Sequence, residues 1–315
     1  MRHLFLMDPI GGIRIDKDST FALMTEAQRR GDEVLYALVD DLYARDGVAG
    51  VRARSATLKR VQGEHAVLGP PTDLSLGDVD IVWMRKDPPF HIDYIFNTYL
   101  LDLPRRPTIV VNAPEGLRAM NEKAWAVRFP ELVPTTLITQ SLGQLRAFAE
   151  ELGKIVVKPL DGNGGEGVFV VSKDDPNIGV IMEMSTRHGQ RKVMAQRYLP
   201  EAKRGDKRII LVDGEPAGAI LRVPQGVDHR GNMHAGAIVE KTTLTPREQE
   251  ICDVIGSRLA AAGQVFVGID VIGDWLTEVN VTSPTGIHEI NAFDGVSLEA
   301  RILDAAVARW TRSGS

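Results

Sequence analysis

One stretch limits what this chain can fold into more than any other: Val265 to Thr285, Val-Phe-Val-Gly-Ile-Asp-Val-Ile-Gly-Asp-Trp-Leu-Thr-Glu-Val-Asn-Val-Thr-Ser-Pro-Thr. Two alternating runs flank a Gly273-Asp274 turn, which is the pattern of a β-hairpin. Val267, Ile269 and Val271 fall on one face with Val279 and Val281, while Asp270, Glu278 and Asn280 fall on the other. Strand side chains alternate with a period of two, so Asp270 joins Glu278 only if the loop holds an odd number of residues. A three-residue loop of Gly273, Asp274 and Trp275 meets that condition. The outcome is three oxygen donors, two of them anionic, on a rigid apolar ribbon. Such a set suits Mg²⁺, which takes one or two carboxylates and completes its octahedron with water and phosphate oxygens. A solvated strand face with incidental acids is the plain alternative at this stage.

Upstream, residues 1–120 alternate strand and helix. His3–Met7 reads as a strand, followed by a loop at Gly11-Gly12 and a helix from a cap at Asp18 or Ser19 to Arg30, closed by Gly31. Glu33–Val39, Val79–Met84 and Thr108–Val111 are further strands, with a helix around Ile92–Leu101. This order predicts a parallel sheet. Ligands of open α/β sheets sit beyond the carboxyl ends of the strands, so Met7-Asp8-Pro9 and Arg85–Phe90 are candidate binding edges. Arg85 reads equally well as a surface charge. Residues 43–78 are irregular and carry no clear pattern.

A second unit opens at Asn121-Glu122-Lys123, with a helix over Leu142–Leu152 and a strand over Lys154–Lys158. Gly162-Asn163-Gly164-Gly165-Glu166-Gly167 then spells G-x-G-x-x-G. A dinucleotide-binding fingerprint needs a helix after that loop. Here Val168-Phe169-Val170-Val171 follows, so the loop joins two strands. Glycines at such a tip form a flap whose bare N–H groups can approach phosphates, and Lys158 beside it is a natural point charge. The competing reading is a flexible turn. No phosphate-binding loop of the G-x-x-x-x-G-K-[ST] type is present.

A third unit begins near residue 201. Met194–Leu199 ends a strand at Pro200, and Asp206–Val212 and Ala219–Arg222 form a hairpin around Gly214. Pro224–Glu240, with three glycines, two histidines and Arg230, reads as a lid or binding loop. Helices are expected over Thr245–Ala262 and Ser297–Trp310. The net charge of −5 argues against nucleic acid as a partner. No apolar run reaches the roughly 18 residues of a membrane span, and the single cysteine, Cys252, suits a reducing cytoplasm and a core position.

Lys123, Lys158-Pro159-Leu160-Asp161, the glycine flap, Gln196-Arg197-Tyr198-Leu199-Pro200 and Asp270…Glu278-Val279-Asn280, in that order, resemble an ATP-grasp ligase. More narrowly, Met84–Phe90, Asn121-Glu122-Lys123, Arg222-Val-Pro-Gln225, Arg230-Gly-Asn232 and Thr277–Thr285 resemble the bacterial glutathione synthetases. The resemblance implies an α/β architecture: a Rossmann-like domain over residues 1–120, an ATP-grasp lid over 121–200, and a C-terminal ATP-grasp subdomain over 201–315. It further implies that Lys123 and Lys158 hold ATP phosphates under Gly162, Asn163, Gly164 and Gly165. Gln196, Tyr198 and Leu199 take the adenine, and Asp206 counts with these nucleotide contacts. Asp270, Glu278 and Asn280 hold Mg²⁺ or Mn²⁺, and Arg208, Arg222 and Arg230 face the substrate or the transferred phosphate. The implied reaction joins γ-glutamylcysteine and glycine through an acyl phosphate, in a homo-oligomer in the cytoplasm. One place departs from the family: Gly236-Ala237-Ile238 stands where Gly-Gly-Arg is expected, with Lys241 the nearest cation. A different amino acid acceptor, or a regulatory protein that binds ATP without catalysis, are the alternatives.

Overall fold

The computed structural model describes residues 1–104, 107–162, 164–225 and 237–314. Asn163, Arg230 and most of the glycine-rich 224–240 stretch therefore lie outside the described residues.

The first sheet follows the βαβ pattern. Strand β1 (Arg2–Leu6) leads to helix α1 (Ser19–Arg29), capped by the Asp18 carboxylate, which accepts from Phe21 N at 2.6 Å. Then come β2 (Glu33–Ala37), β3 (Leu42–Arg45), β4 (Val48–Leu58), β5 (Ala66–Leu68), β6 (Thr72–Ser75) and β7 (Ile81–Met84). Helix α2 (Ile92–Leu100), β8 (Ile109–Val111) and α3 (Pro114–Ala119) complete the unit. Strands β2, β1, β7 and β8 run parallel, and β4 adds antiparallel to β2, carrying β3, β5 and β6. Residues 43–78, illegible in sequence, are this antiparallel extension. On β4 most of the buried positions are Ala49, Gly50, Ala53 and Ala56, residues too small to make the alternation visible.

The second sheet is a four-stranded antiparallel lid: β9 (Thr136–Thr139), β10 (Lys154–Pro159), β11 (Phe169–Ser172) and β12 (Val193–Arg197), in the order β11-β10-β12-β9. Helices α4 (Leu142–Leu152) and α5 (Ile178–Ser185) cover one face. Their contact with the sheet forms a core of its own, built from Leu145, Phe148, Ile155, Val157, Val171, Met182 and Val193.

The third sheet holds β13 (Asp206–Val212), β14 (Glu215–Val223), β15 (Ile238–Lys241), β16 (Phe266–Ile272) and β17 (Trp275–Asn280), all antiparallel in the order β15-β14-β13-β16-β17. Strand β15 takes the end of the expected loop into the sheet, with Ile238 opposite Val223. Helix α6 (Pro246–Ala261) opens with a capping box in which Thr245 and Glu248 satisfy each other's backbone N–H groups. Helices α7 (Ile287–Asp294) and α8 (Leu298–Ser313) close the chain. The two remaining apolar cores mix residues of the first and third units: Leu4 and Leu35 with Val267 and Val279 in one, Phe5 and Trp83 with Phe266 and Ile302 in the other. Asn112 ties the same two units by hydrogen bonds. Its Nδ2 donates to Phe266 O and Val281 O at 2.7 and 2.6 Å, and its Oδ1 accepts from Val265 N and Phe266 N at 2.8 and 2.9 Å.

Candidate active site

Strands β16 and β17 place the acid-amide trio as the alternation requires, by a route other than the three-residue loop. The turn has two residues, since Ile272 pairs with Trp275 across Gly273 and Asp274. Parity is restored by a β-bulge: Val271 pairs with Leu276 and Asp270 with Glu278, leaving Thr277 unpaired. Thr277 uses its Oγ1 to donate to Asp270 O at 3.0 Å. A bulge adds one residue to one strand, which does the work an odd loop would have done. Gly273 supplies the positive φ, +58°, that the tight turn needs.

Asp270, Glu278 and Asn280 line one cavity of about 640 Å³. Its other walls are the lid strands at Val156, Lys158 and Phe169, the flap at Gly164, Gly165 and Gly167, the Gln196–Leu199 segment, and Pro284 and Thr285. Lys123, on the segment before the lid, is buried against Glu278 and does not itself line the cavity. Its Nζ donates to Gly162 O at 2.6 Å and lies 3.6 Å from Glu278 Oε1. Lys158 Nζ lies 3.6 Å from the same oxygen and donates to Thr277 O at 3.2 Å. Two buried ammonium groups thus share one carboxylate beneath the flap. Burial pulls the Lys158 pKa down, against the pull of Glu278 that raises it.

On the floor, two carboxylates and two guanidiniums interlock. Arg208 grips Asp270 bidentately at 2.6 and 3.0 Å, and Arg222 grips Asp206 at 2.7 and 2.6 Å. Arg222 also reaches Asp270 at 3.0 Å. Burial alone would raise the Asp270 pKa, but the charges of Arg208 and Arg222 outweigh it and hold the carboxyl below its usual range. Asp206 goes the other way: burial, reinforced by repulsion from Asp270, raises it to about 6 despite Arg222. Asp206, expected among the nucleotide contacts, lines the cavity and spends both carboxylate oxygens on Arg222.

At the end of the cavity formed by the Gln196–Leu199 segment, Gln196 is buried and donates to Thr136 Oγ1 at 3.0 Å, and Leu199 is also buried. The Tyr198 ring carries Lys154 Nζ 4.2 Å from its centroid. Val156, Phe169 and Ile272 supply apolar walls there that the sequence reading did not single out. Three flap glycines have positive φ: +64° at Gly164, +76° at Gly165 and +69° at Gly167. Of the two predicted loop edges, Asp87 and Pro88 reach the cavity. Asp8 instead braces that loop, accepting from Lys86 Nζ and Asp87 N at 2.7 and 3.0 Å. Arg85 is no surface charge: it is 4% exposed. The sequence reading also missed Glu122, buried with its Oε1 accepting from Thr282 Oγ1 at 2.7 Å. Ile238 is exposed and does not line the cavity, and Lys241 is held by Asp294 and Phe293 O at 2.9 and 2.6 Å. Cys252 is a core residue, its thiol pushed up to about 12 by burial. No helix among the described residues is long and apolar enough to cross a membrane.

The trio offers the donor chemistry of a hard divalent cation site, two carboxylates and a side-chain amide on neighbouring strands facing one cavity, while in this structure Asp270 spends both oxygens on Arg208.

A model of the prokaryotic glutathione synthetase ATP-grasp domain matches residues 122–295, and one of the prokaryotic glutathione synthetase N-terminal domain matches residues 1–118. The chain is 47% identical over 303 residues to a glutathione synthetase of Brucella melitensis, covering 96% of this chain and 97% of the relative. It is equally identical over 318 residues to one of Gloeobacter violaceus, covering 99% and 98%. Among solved structures, D-cycloserine synthetase DcsG superposes with a TM-score of 0.69 at 15% identity, over 98% of this chain and 99% of that one. A RimK domain ATP-grasp protein from Sphaerobacter thermophilus gives 0.64 at 18% identity, over 98% and 100%. Those two structures share the fold.

Proposed function

The chain belongs to the prokaryotic glutathione synthetase family, and from that premise we propose how its central cavity carries out the reaction. The protein is an ATP-grasp ligase that makes glutathione at the expense of ATP. The residue roles, the acyl phosphate route and Mg²⁺ as the metal are our reading. The observation that carries it is the convergence of Lys158 and Glu278 with the Asp270–Arg208–Arg222–Asp206 cluster on one cavity walled by the flap, with Lys123 set against Glu278 from behind.

A carboxylate is a poor electrophile, so coupling it to an amine requires activation. Transfer of the γ-phosphoryl group to the cysteinyl carboxylate gives an acyl phosphate, which the glycine amine attacks with loss of phosphate. The protein contributes positioning and charge neutralisation. Lys123 and Lys158 hold phosphate oxygens, while the flap glycines present N–H groups from above. Gln196, Tyr198 and Leu199, with Val156, Phe169 and Ile272, enclose the base. Arg208 and Arg222 hold the floor in a fixed geometry and can share their donors with an incoming carboxylate. Bound by Asp270, Glu278 and Asn280, Mg²⁺ would neutralise phosphate charge and orient the transferred group. Because acyl phosphates hydrolyse, a lid that keeps water out is needed. The lid's separate core supports its closing as a unit.

We further read the chain as three functional units, 1–120, 121–200 and 201–315, and the protein as a cytoplasmic homo-oligomer. The test of function is ATP-dependent phosphate release measured with each substrate alone and with both. Release that requires γ-glutamylcysteine and glycine together is expected. Release with neither substrate, or with γ-glutamylcysteine and an amino acid other than glycine in preference, would count against it.

A further inference from the structure

Arg85 has no role in the scheme above, yet its surroundings are unusual. Its Nε donates to Thr20 Oγ1 at 3.1 Å and its Nη2 to Pro284 O at 2.9 Å, and its guanidinium lies 4.8 Å from the Phe266 ring centroid. Among the described residues it forms no ion pair, although a buried guanidinium ordinarily needs a carboxylate to offset its lost hydration. Asp87 and then Asp18 are close enough to be felt, but neither forms an ion pair with it, and the Asp18 carboxylate caps α1. Burial accordingly drives the Arg85 pKa down to about 10.

Pro284 belongs to a strap, Thr282–Thr285, that joins β17 to α7. Three anchors hold it. Glu122 accepts from Thr282 N and Oγ1, Arg85 donates to Pro284 O, and Arg208 Nη1 donates to Thr285 O at 3.2 Å. Thr282 and Pro284 are buried, whereas Ser283 and Thr285 are half-buried, and all four line the cavity. Neither the Ser283 nor the Thr285 hydroxyl has a hydrogen-bond partner among the described residues, and α7 begins without a side-chain cap. Pro284 C=O and Thr285 N–H belong to one peptide unit. A charged donor on the carbonyl polarises that unit and strengthens its N–H as a donor.

We propose that the Ser283–Thr285 strap, backed by the unpaired charge of Arg85, is the subsite that orients a substrate carboxylate, with Arg85 a positioning residue acting through the Pro284 peptide. The inference deepens the ligase reading and rests on it. Two groups could supply the anion: the glutamyl α-carboxylate of γ-glutamylcysteine and the carboxylate of glycine, neither of which is activated in the reaction.

The test is steady-state kinetics of the full-length protein with ATP, Mg²⁺, γ-glutamylcysteine and glycine, alongside thermal midpoints. Arg85→Met should raise KM for one of the two carboxylate substrates by about tenfold or more while KM for ATP stays within about twofold. Its thermal midpoint should equal or exceed that of wild type, because an unpaired buried charge has been replaced by an apolar side chain. Arg85→Lys, which keeps the charge, should recover part of the loss. A rise confined to glycine assigns the subsite to the acceptor, and one confined to γ-glutamylcysteine assigns it to the peptide. Unchanged KM for both, or a lower midpoint with equal loss toward all three substrates, overturns the proposal. Should Arg85→Met not fold, Thr285→Val probes the strap from the cavity side: the same selective rise supports the subsite and unchanged constants overturn it. Wild-type turnover in the same assay separates the two readings. If wild type turns over and the variants match it, only the strap inference fails; if wild type is inert, both fail.

Discussion

Glu278 is the side chain on which the charge arrangement turns. One of its oxygens faces two lysines at 3.6 Å while the residue also stands in the proposed metal set. Glu278→Gln keeps the shape and removes the charge, and we expect turnover at saturating substrate to fall by about 10²-fold or more. A kcat within a few-fold of wild type would remove Glu278 from the metal set. The floor cluster supplies a second test at this scale. An unfolded aspartate titrates near 3.9, and Asp206 is raised to about 6 in the fold. Between those values the folded state holds a proton that the unfolded state has lost, so the Asp206 contribution to stability falls as pH rises through that window. Asp270, held below its usual range, contributes in the opposite sense: its share is present above the unfolded value and is lost on acidification below it. We therefore expect Asp206→Asn to flatten the change in thermal midpoint between about pH 4 and about pH 6. A variant whose curve runs parallel to wild type across that range would show that Asp206 stays charged throughout.

At the scale of elements, the flap and the hairpin differ in how their glycines act. Gly164 and Gly165 adopt φ of +64° and +76°, where a Cβ clashes with the backbone. Gly164→Val adds a β-branched side chain at the face that, in our proposal, approaches phosphate. We expect it to weaken ATP affinity by about tenfold or more, read by titration calorimetry, with little loss of thermal stability because the flap lies outside the lid core. Unchanged affinity would mean that the flap backbone does not touch the nucleotide. Gly273 needs its positive φ only to turn the chain. The register that brings Asp270 beside Glu278 comes from the bulge at Thr277, a single unpaired residue whose hydroxyl holds the carbonyl of Asp270.

At the scale of the molecule, the first and third units share two apolar cores, and Asn112 stitches them with four hydrogen bonds to Val265, Phe266 and Val281, where the chain enters and leaves the hairpin. Asn112→Ala would strand those backbone groups without water. We expect a loss of about 2 kcal/mol or more in unfolding free energy, measured by denaturant titration; a loss below about 0.5 kcal/mol would mean that water replaces the amide. Nothing local marks Asn112 out. Its value depends on Phe266 and Val281, 154 and 169 residues away. The same holds for Arg85 and Glu122, which look like surface charges until Pro284 and Thr282 close over them. What the sequence alone determined is whatever short-range periodicity encodes: the parallel βαβ order, the capped helices, the lid hairpin beneath its glycines, and the face shared by Asp270, Glu278 and Asn280. Each follows from side-chain alternation, caps or φ requirements within about ten residues. Only the tertiary structure decided how parity was restored, which arginine grips which aspartate, and which charges are buried. Those depend on which distant segments exclude water together, and desolvation, unlike alternation, has no local signature.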